Sequence, residues 1–359
     1  MLKARTPTRR ELLLMILLSC LVMFKFDSDL ARVPVPLQSN PRAVSHTLTG
    51  NIRLHKNFHS RFLARDRDII VYLPPGYEKE QTRRHPVLYM QDGQNIFDAS
   101  TSFFVGMERH LDEKAQALIV RGTIRPLIIV GIYSTGQDRI NEYTPTRIPV
   151  MNKGGQADLY GRMLVEEIKP FIDAQYRTLP KPSDTGLGGS SLGGLLTVYL
   201  GLKYADTFGR LAVSSPACYW DEEMIVRYVR SLRAKTRQRM WLAVGTAEPD
   251  AFLSSTRSLH SALVAKGWRD GVDLGYMEAT GAQHNPEAWS KRVDRLLTFL
   301  FPSGQRKQQK EAARELPYET KTGGQACDLR FSSGPWARML RVANPCVNAH
   351  RCKDFALAF

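Results

Sequence analysis

Two adjacent serines, Ser190 and Ser191, stand among glycines in the stretch "GLGGSSLGGL" (186–195). A serine becomes a nucleophile when it projects from a sharp turn between a strand and a helix, with a free backbone N–H beside it. Small residues two positions to either side let strand and helix close around the strained serine. Centred on Ser190, the flanking residues are Gly188 and Leu192, and the second glycine is missing. Centred on Ser191, they are Gly189 and Gly193, and the G-x-S-x-G pattern is complete. Ser191 is therefore the candidate nucleophile and Ser190 a small spacer. Leu192 N–H is one candidate donor to the oxyanion that attack creates. A phosphate-binding loop does not fit, because no lysine stands where G-x-x-x-x-G-K-[ST] requires it. The G-x-G-x-x-G pattern fails too, meeting Ser191 where its third glycine belongs.

A serine of this kind takes its partners in the chain order Ser, acid, His. After Ser191 come His260, His284 and His350. His260 falls inside a helical run and reads as a surface residue, and His350 lies near the C-terminus. His284, in "EATGAQHNPEAW", follows a strand pattern and precedes the last helix, so its ring can reach back over the sheet edge. The acid belongs at the end of the preceding strand, in "WLAVGTAEPDAF", where Glu248 and Asp250 both qualify. Its task is to hold the imidazole tautomer and stabilise the imidazolium. The second oxyanion donor comes from the loop after an early strand, "YMQDGQNIFD" (89–98), through Gly93 or Gln94 N–H.

The elements that must position these residues alternate along the chain. Apolar, β-branched runs close at turn residues: "RDIIVYLPPGY", "HPVLYMQDG", "PLIIVGIY", "GRLAVSSP", "RMWLAVG" and "VDLGYMEAT". Helical patterns fall between them, including "GRMLVEEIKPFIDAQY", "DEEMIVRYVRSLRAK", "SSTRSLHSALVAKG" and "NPEAWSKRVDRLLTFLF". Strand–helix alternation predicts an α/β fold, a mostly parallel central sheet with helices on both faces. Arg139 and Glu142, in "DRINEYTP", are expected to pair structurally near the site.

The chain has 359 residues and a formal charge of +15, much of it at the ends. Residues 1–42 carry seven Lys/Arg against three Asp/Glu, and residues 303–359 carry ten against five. No nucleic-acid-binding motif accompanies this charge, so solvated tails are the plainer reading. Residues 1–42 read as an export signal or membrane anchor plus linker. Four basic residues precede the apolar run Leu12 to Phe24, and "VPVPLQSNPRA" follows. That run is shorter than the roughly 20 residues that span a bilayer. The expected location is periplasmic or extracellular, with membrane anchoring if the segment is retained. Residues 43–302 form the catalytic domain, and 303–359 a basic, poorly ordered appendage. "CVNAHRC" (346–352) lacks the second half of a metal site, so no metal is expected.

In combination, "LYMQDGQNIFD", "RPLIIVGI", "NEYTPTR", "LVEEIKPFIDAQYRT", "GGSSLGGL", "VSSPACYW", "LAVGTAEPD" and "GAQHNPEAW" resemble the putative-esterase family. That family includes enterochelin esterases, esterase D and feruloyl esterases, and the enterochelin-esterase-like group is nearest. The resemblance covers about 45–302 and implies the α/β-hydrolase fold without a large cap domain. It also implies a serine carboxylesterase with Ser191 as nucleophile and His284 as base, and it favours Glu248 as the acid. The reaction then runs through an acyl-enzyme and needs no cofactor. Short connections imply an open site for an ester of moderate to large size. Tyr219 and Trp220, just beyond a strand end, are expected to line its mouth. Cys218 stands where the family has a bulkier residue. Two alternatives remain: an acyltransferase using a sugar or lipid hydroxyl, and a binding module without activity.

Overall fold

The computed structural model describes residues 45–104 and 106–303. The export segment, the appendage, His350 and all cysteines except Cys218 lie outside the described residues. In chain order the first elements are β1 (Asn51–Phe58), β2 (Arg67–Leu73), β3 (Val87–Gln91), α1 (Leu111–Val120), β4 (Ile128–Ile132) and α2 (Arg139–Tyr143). A two-stranded ribbon follows, β5 (Arg147–Ile148) and β6 (Lys153–Gly154), and then α3 (Ala157–Arg162) and α4 (Lys169–Gln175). Next come β7 (Thr185–Ser191), α5 (Leu192–Lys203), β8 (Arg210–Pro216) and α6 (Trp220–Ser231). The described chain closes with β9 (Arg239–Gly245), α7 (Asp250–Ala265), β10 (Leu274–Ala279), α8 (Pro286–Ser290) and α9 (Val293–Leu300).

The main sheet has eight strands in the order β1-β2-β4-β3-β7-β8-β9-β10. β1 pairs antiparallel with β2, and β2 with β4, while every pair from β4 to β10 is parallel. This is the mostly parallel α/β sheet that the strand–helix alternation predicts, in the α/β-hydrolase form that the resemblance implies. The continuous apolar runs of β3 and β4 are buried at every residue, as strands covered on both faces must be. β1 is an edge strand, and none of its residues is fully buried.

Strand side chains alternate between faces, so one run of residues feeds two cores. Tyr89, Leu187, Val213 and Leu242 pack with α3, α4, α5, α6 and α7 on one face. Leu88, Met90, Ala212 and Trp241 pack with α1 and α9 on the other. Fully burying a Leu or Val side chain contributes about 1.5–3 kcal/mol.

Two helices differ from the pattern read in the sequence. The stretch 161–176 runs as one helical course, but Met163–Ile168 is π-helical. Pro170 lies just beyond it, lacks the N–H that an α-turn needs, and crowds the carbonyl four residues back. The last helix, expected as one piece over 285–301, is two: α8 and α9. The break falls at Lys291–Arg292, where the Arg292 side chain turns inward and is buried.

Candidate active site

β7 ends at Ser191 and α5 begins at Leu192, so the nucleophile candidate stands at a strand–helix junction. Its backbone is at φ 57°, ψ −125°. A non-glycine residue there stores about 1–3 kcal/mol of strain, which the surroundings must hold. The glycines explain how. A Cβ on Gly189 would lie 2.5 Å from both Gly193 O and Gln91 Oε1. A Cβ on Gly194 would lie 3.0 Å from Pro216 Cα. Backbone touches backbone, and no side chain fits between.

The two serines differ in exposure and partner. Ser190 is buried, and its hydroxyl accepts a hydrogen bond from Arg109 Nη2. Ser190 is thus more than a spacer: it anchors a buried guanidinium that also lies over the Trp289 ring at 5.0 Å. Ser191 is only partly buried.

His284 and Glu248 meet through two stitched loops. Ala247 N–H donates to Ala282 O at 3.1 Å, and Gly281 N–H to Thr246 Oγ1 at 2.9 Å. Gly245 permits the crossing, since a Cβ there would lie 2.1 Å from Ala282 O. His284 Nδ1 lies 2.7 Å from Glu248 Oε2. With a carboxylate on Nδ1, a neutral ring keeps its proton there and leaves Nε2 as the acceptor. Nε2 is buried and has no hydrogen-bond partner among the described residues, Ser191 included. Catalytic hydrogen bonds are often long without substrate and tighten in the complex. The ring is held by Phe252, with centroids 4.1 Å apart, and edge-on by Trp289 at 5.0 Å.

Glu248 is buried, and both its oxygens are engaged. Oε1 accepts from Ser215 Oγ at 2.5 Å and from Gly245 N–H at 2.7 Å. Ser215 Oγ in turn accepts from Trp289 Nε1 at 3.0 Å and Arg292 Nη2 at 3.2 Å. Burial alone would raise the Glu248 pKa. The bond and charge of His284, then Ser215 and the Gly245 N–H, outweigh burial and hold the carboxyl below its ordinary value. Asp250, the other acid candidate, is exposed at the start of α7 and has no bond to His284. Its negative charge suits a helix N-terminus instead.

Gly93 and Gln94 open a 3₁₀ turn (Gly93–Asn95) directly after β3. The first N–H groups of a helical turn have no intrahelical partner, and the same holds for Leu192 at the start of α5. A Cβ on Gly93 would lie 2.5 Å from Gly131 C, so the turn is pressed against β4. The Gln94 side chain locks it there. Its Nε2 donates to Ser134 Oγ at 2.9 Å, and its Oε1 accepts from Ser134 N–H at 3.1 Å.

Two readings need correction. Trp220 does not line the mouth. It is 4% exposed, packs in the core, and its Nε1 donates to Thr146 O and Oγ1 at 3.2 Å. Tyr219 reaches the site through Phe252, with centroids 4.9 Å apart. Arg139 and Glu142 do not pair with each other. Arg139 forms a two-pronged pair with Asp92 at 2.7 and 2.8 Å, and Glu142 pairs with the buried Arg67 at 3.0 and 3.1 Å. His260 stacks on Tyr276 and bonds Asp270, outside the site.

Sequence reading missed Ser215, Phe252, Trp289, Arg292 and Arg109. Ser215 lies in "VSSP" beside a strand end, which was a usable signal; Arg292 sits inside a helical pattern that hides it. A cavity of about 820 Å³, lined by Trp241, Tyr276, Met277, Phe299 and Arg295, touches none of the candidate catalytic residues.

The family described as Putative esterase matches residues 60–300. YbbA of Bacillus subtilis, an uncharacterized protein, is 24% identical over 266 residues, covering 71% of this chain and 97% of its own. An endo-1,4-beta-xylanase/feruloyl esterase of Xylanibacter ruminicola is 25% identical over 70% of this chain and 31% of its own. The solved IroE-like serine hydrolase from Shewanella oneidensis superposes with a TM-score of 0.58 at 20% identity, over 70% of this chain and 80% of its own. With its α/β-hydrolase sheet and a family match over most of its length, the chain belongs to the Putative esterase family and is a carboxylic ester hydrolase.

Proposed function

We propose that the chain is a serine esterase acting through Ser191, His284 and Glu248 by way of an acyl-enzyme. The observation that carries the reading is the 2.7 Å bond from His284 Nδ1 to Glu248 Oε2, which leaves Nε2 as a buried base. Ser191 Oγ attacks the ester carbonyl as Nε2 takes its proton. The tetrahedral oxyanion is received by Leu192 N–H and by Gly93 or Gln94 N–H. The imidazolium protonates the leaving alkoxide, and the alcohol departs. Water, deprotonated by the same nitrogen, then releases the acid and restores Ser191.

The substrate we favour is an ester of moderate to large size with an aromatic part. The connections β8–β9 and β9–β10 hold only α6 and α7, so neither carries a cap domain. Tyr219, half-buried and edge-on to the buried Phe252 that packs on His284, supplies an aromatic ring near the site. Feruloyl esterase, the name of the Xylanibacter relative, is consistent with such a group. Export through residues 1–42 belongs to the same proposal. Esterase activity confined to the cytoplasmic fraction of cells making the full chain would overturn that part.

Two measurements test the mechanism. Ser191→Ala should abolish turnover of p-nitrophenyl acetate without altering the circular dichroism spectrum. A fluorophosphonate label, located by peptide mapping, should sit on Ser191. Label on Ser190, or no label at all, refutes the assignment.

A further inference from the structure

Next to Arg109 in the chain stand acids that no Lys or Arg among the described residues neutralises. Glu108, Asp112 and Glu113 form no salt bridge to Lys or Arg among the described residues, and the basic group beside them is His110. The Glu108 side chain is 0% exposed. Its Oε1 accepts a hydrogen bond from the Thr47 hydroxyl. Its Oε2 is buried and has no hydrogen-bond partner among the described residues, and beside it the carboxyls of Asp112 and Glu113 are hydrogen-bonded to each other. Carboxylate oxygens removed from water without a partner are costly. The N-terminus of α1, which begins at Leu111, offers only a partial positive charge against them.

Three ligand atoms converge here. His110 Nδ1 lies 3.4 Å from Glu113 Oε1 and 3.6 Å from Glu108 Oε1. One ligand atom from each of the three residues lies within 4.8 Å of the others. Around a tetrahedral ion with bonds of about 2.0–2.1 Å, neighbouring ligand atoms stand about 3.3–3.4 Å apart. The two His110 separations come close to that edge. The His110 backbone, at φ 52°, ψ 40°, makes the turn that brings its ring back between the acids.

We propose that Glu108, His110 and Glu113 bind a divalent cation of the zinc type, with water in the fourth position. One imidazole nitrogen with two carboxylates suits Zn²⁺, Co²⁺ or Mn²⁺, whereas Ca²⁺ and Mg²⁺ prefer all-oxygen sets. The ion has no part in ester hydrolysis. It braces the segment whose middle residue, Arg109, holds Ser190 and covers Trp289.

The test uses the full-length protein after chelator treatment, titrated with ZnCl₂ by calorimetry and with CoCl₂ by visible absorption. The parent and Ser191→Ala should take up Zn²⁺ alike. His110→Ala and Glu113→Gln alter half-exposed or rim side chains, so both should keep the parent circular dichroism spectrum. Each should lose one bound ion per chain or weaken it at least tenfold, and His110→Ala should lose the Co²⁺ ligand-field band. A parent that binds no ion overturns the proposal. So do variants that bind as the parent does, because the ion then sits elsewhere, for example on His284 or the C-terminal cysteines.

Discussion

At the scale of single residues, two neighbouring serines have different surroundings. Ser190 points inward to Arg109, while Ser191 holds the strained backbone of the turn. The same logic separates the two acids. Glu248 is buried against His284, Ser215 and Gly245 N–H, and Asp250 is exposed. Glu248→Gln should lower kcat on the order of 10³–10⁴-fold, because an amide no longer fixes the productive tautomer or stabilises the imidazolium. It should also change the acid response. The folded-state pKa of Glu248 is depressed, so its stabilising effect is complete above the unfolded value of about 4.3. That effect is lost as pH falls through the unfolded value and on toward the lowered folded one. Urea midpoints from about pH 6 down to pH 3 should therefore fall less in Glu248→Gln than in the parent. Equal losses in both proteins would show that Glu248 contributes nothing to acid sensitivity.

At the scale of elements, close backbone approach decides where glycine must stand. Gly189 lets β7 and α5 touch, and Gly245 lets the loops after β9 and β10 cross. Gly189→Ala places a methyl 2.5 Å from a backbone carbonyl, so something in the elbow must shift. The expected cost is about 1–3 kcal/mol of stability, with a fall in kcat as Ser191 moves. Gly136→Ala is the control, since its Cβ meets nothing within 4 Å and only the positive φ of 66° is strained. It should keep kcat. Unfolding in urea, paired with esterase kinetics, separates the two, and equal kcat for both variants would refute the packing argument. The glycine spacing was legible in the sequence because it is local. The split of the last helix was not. Arg292 looks like a surface residue in a helical pattern, but inside the molecule it meets Ser215, 77 residues away, and Glu248 at 3.7 Å.

At the scale of the whole molecule, two cores on either side of one sheet hold the strand ends that carry the site. Cys218 lies fully buried in the larger core, and burial, with the charge of Glu223 adding to it, raises its thiol pKa far above the ordinary value. It should resist iodoacetamide in the native state and react only as the sheet domain unfolds. Peptide mapping after labelling across a urea series checks this. Rapid native labelling of the Cys218 peptide would mean that the core opens locally.

The strand–helix alternation and the glycine spacing that makes Ser191 rather than Ser190 the candidate were set by the sequence itself. Each is written in spacing along the backbone, where a period of two or a glycine two residues away acts on its neighbour directly. What tertiary structure alone decided was which side chains meet. Glu248 meets His284 and Asp250 does not, because the crossing at Gly245 buries one and leaves the other in water. Arg139 chooses Asp92 and Glu142 chooses Arg67, and Trp220 goes to the core because Thr146 can satisfy its indole N–H. Burial and pairing between distant residues depend on how sheet and loops pack, and no local period in a chain encodes that.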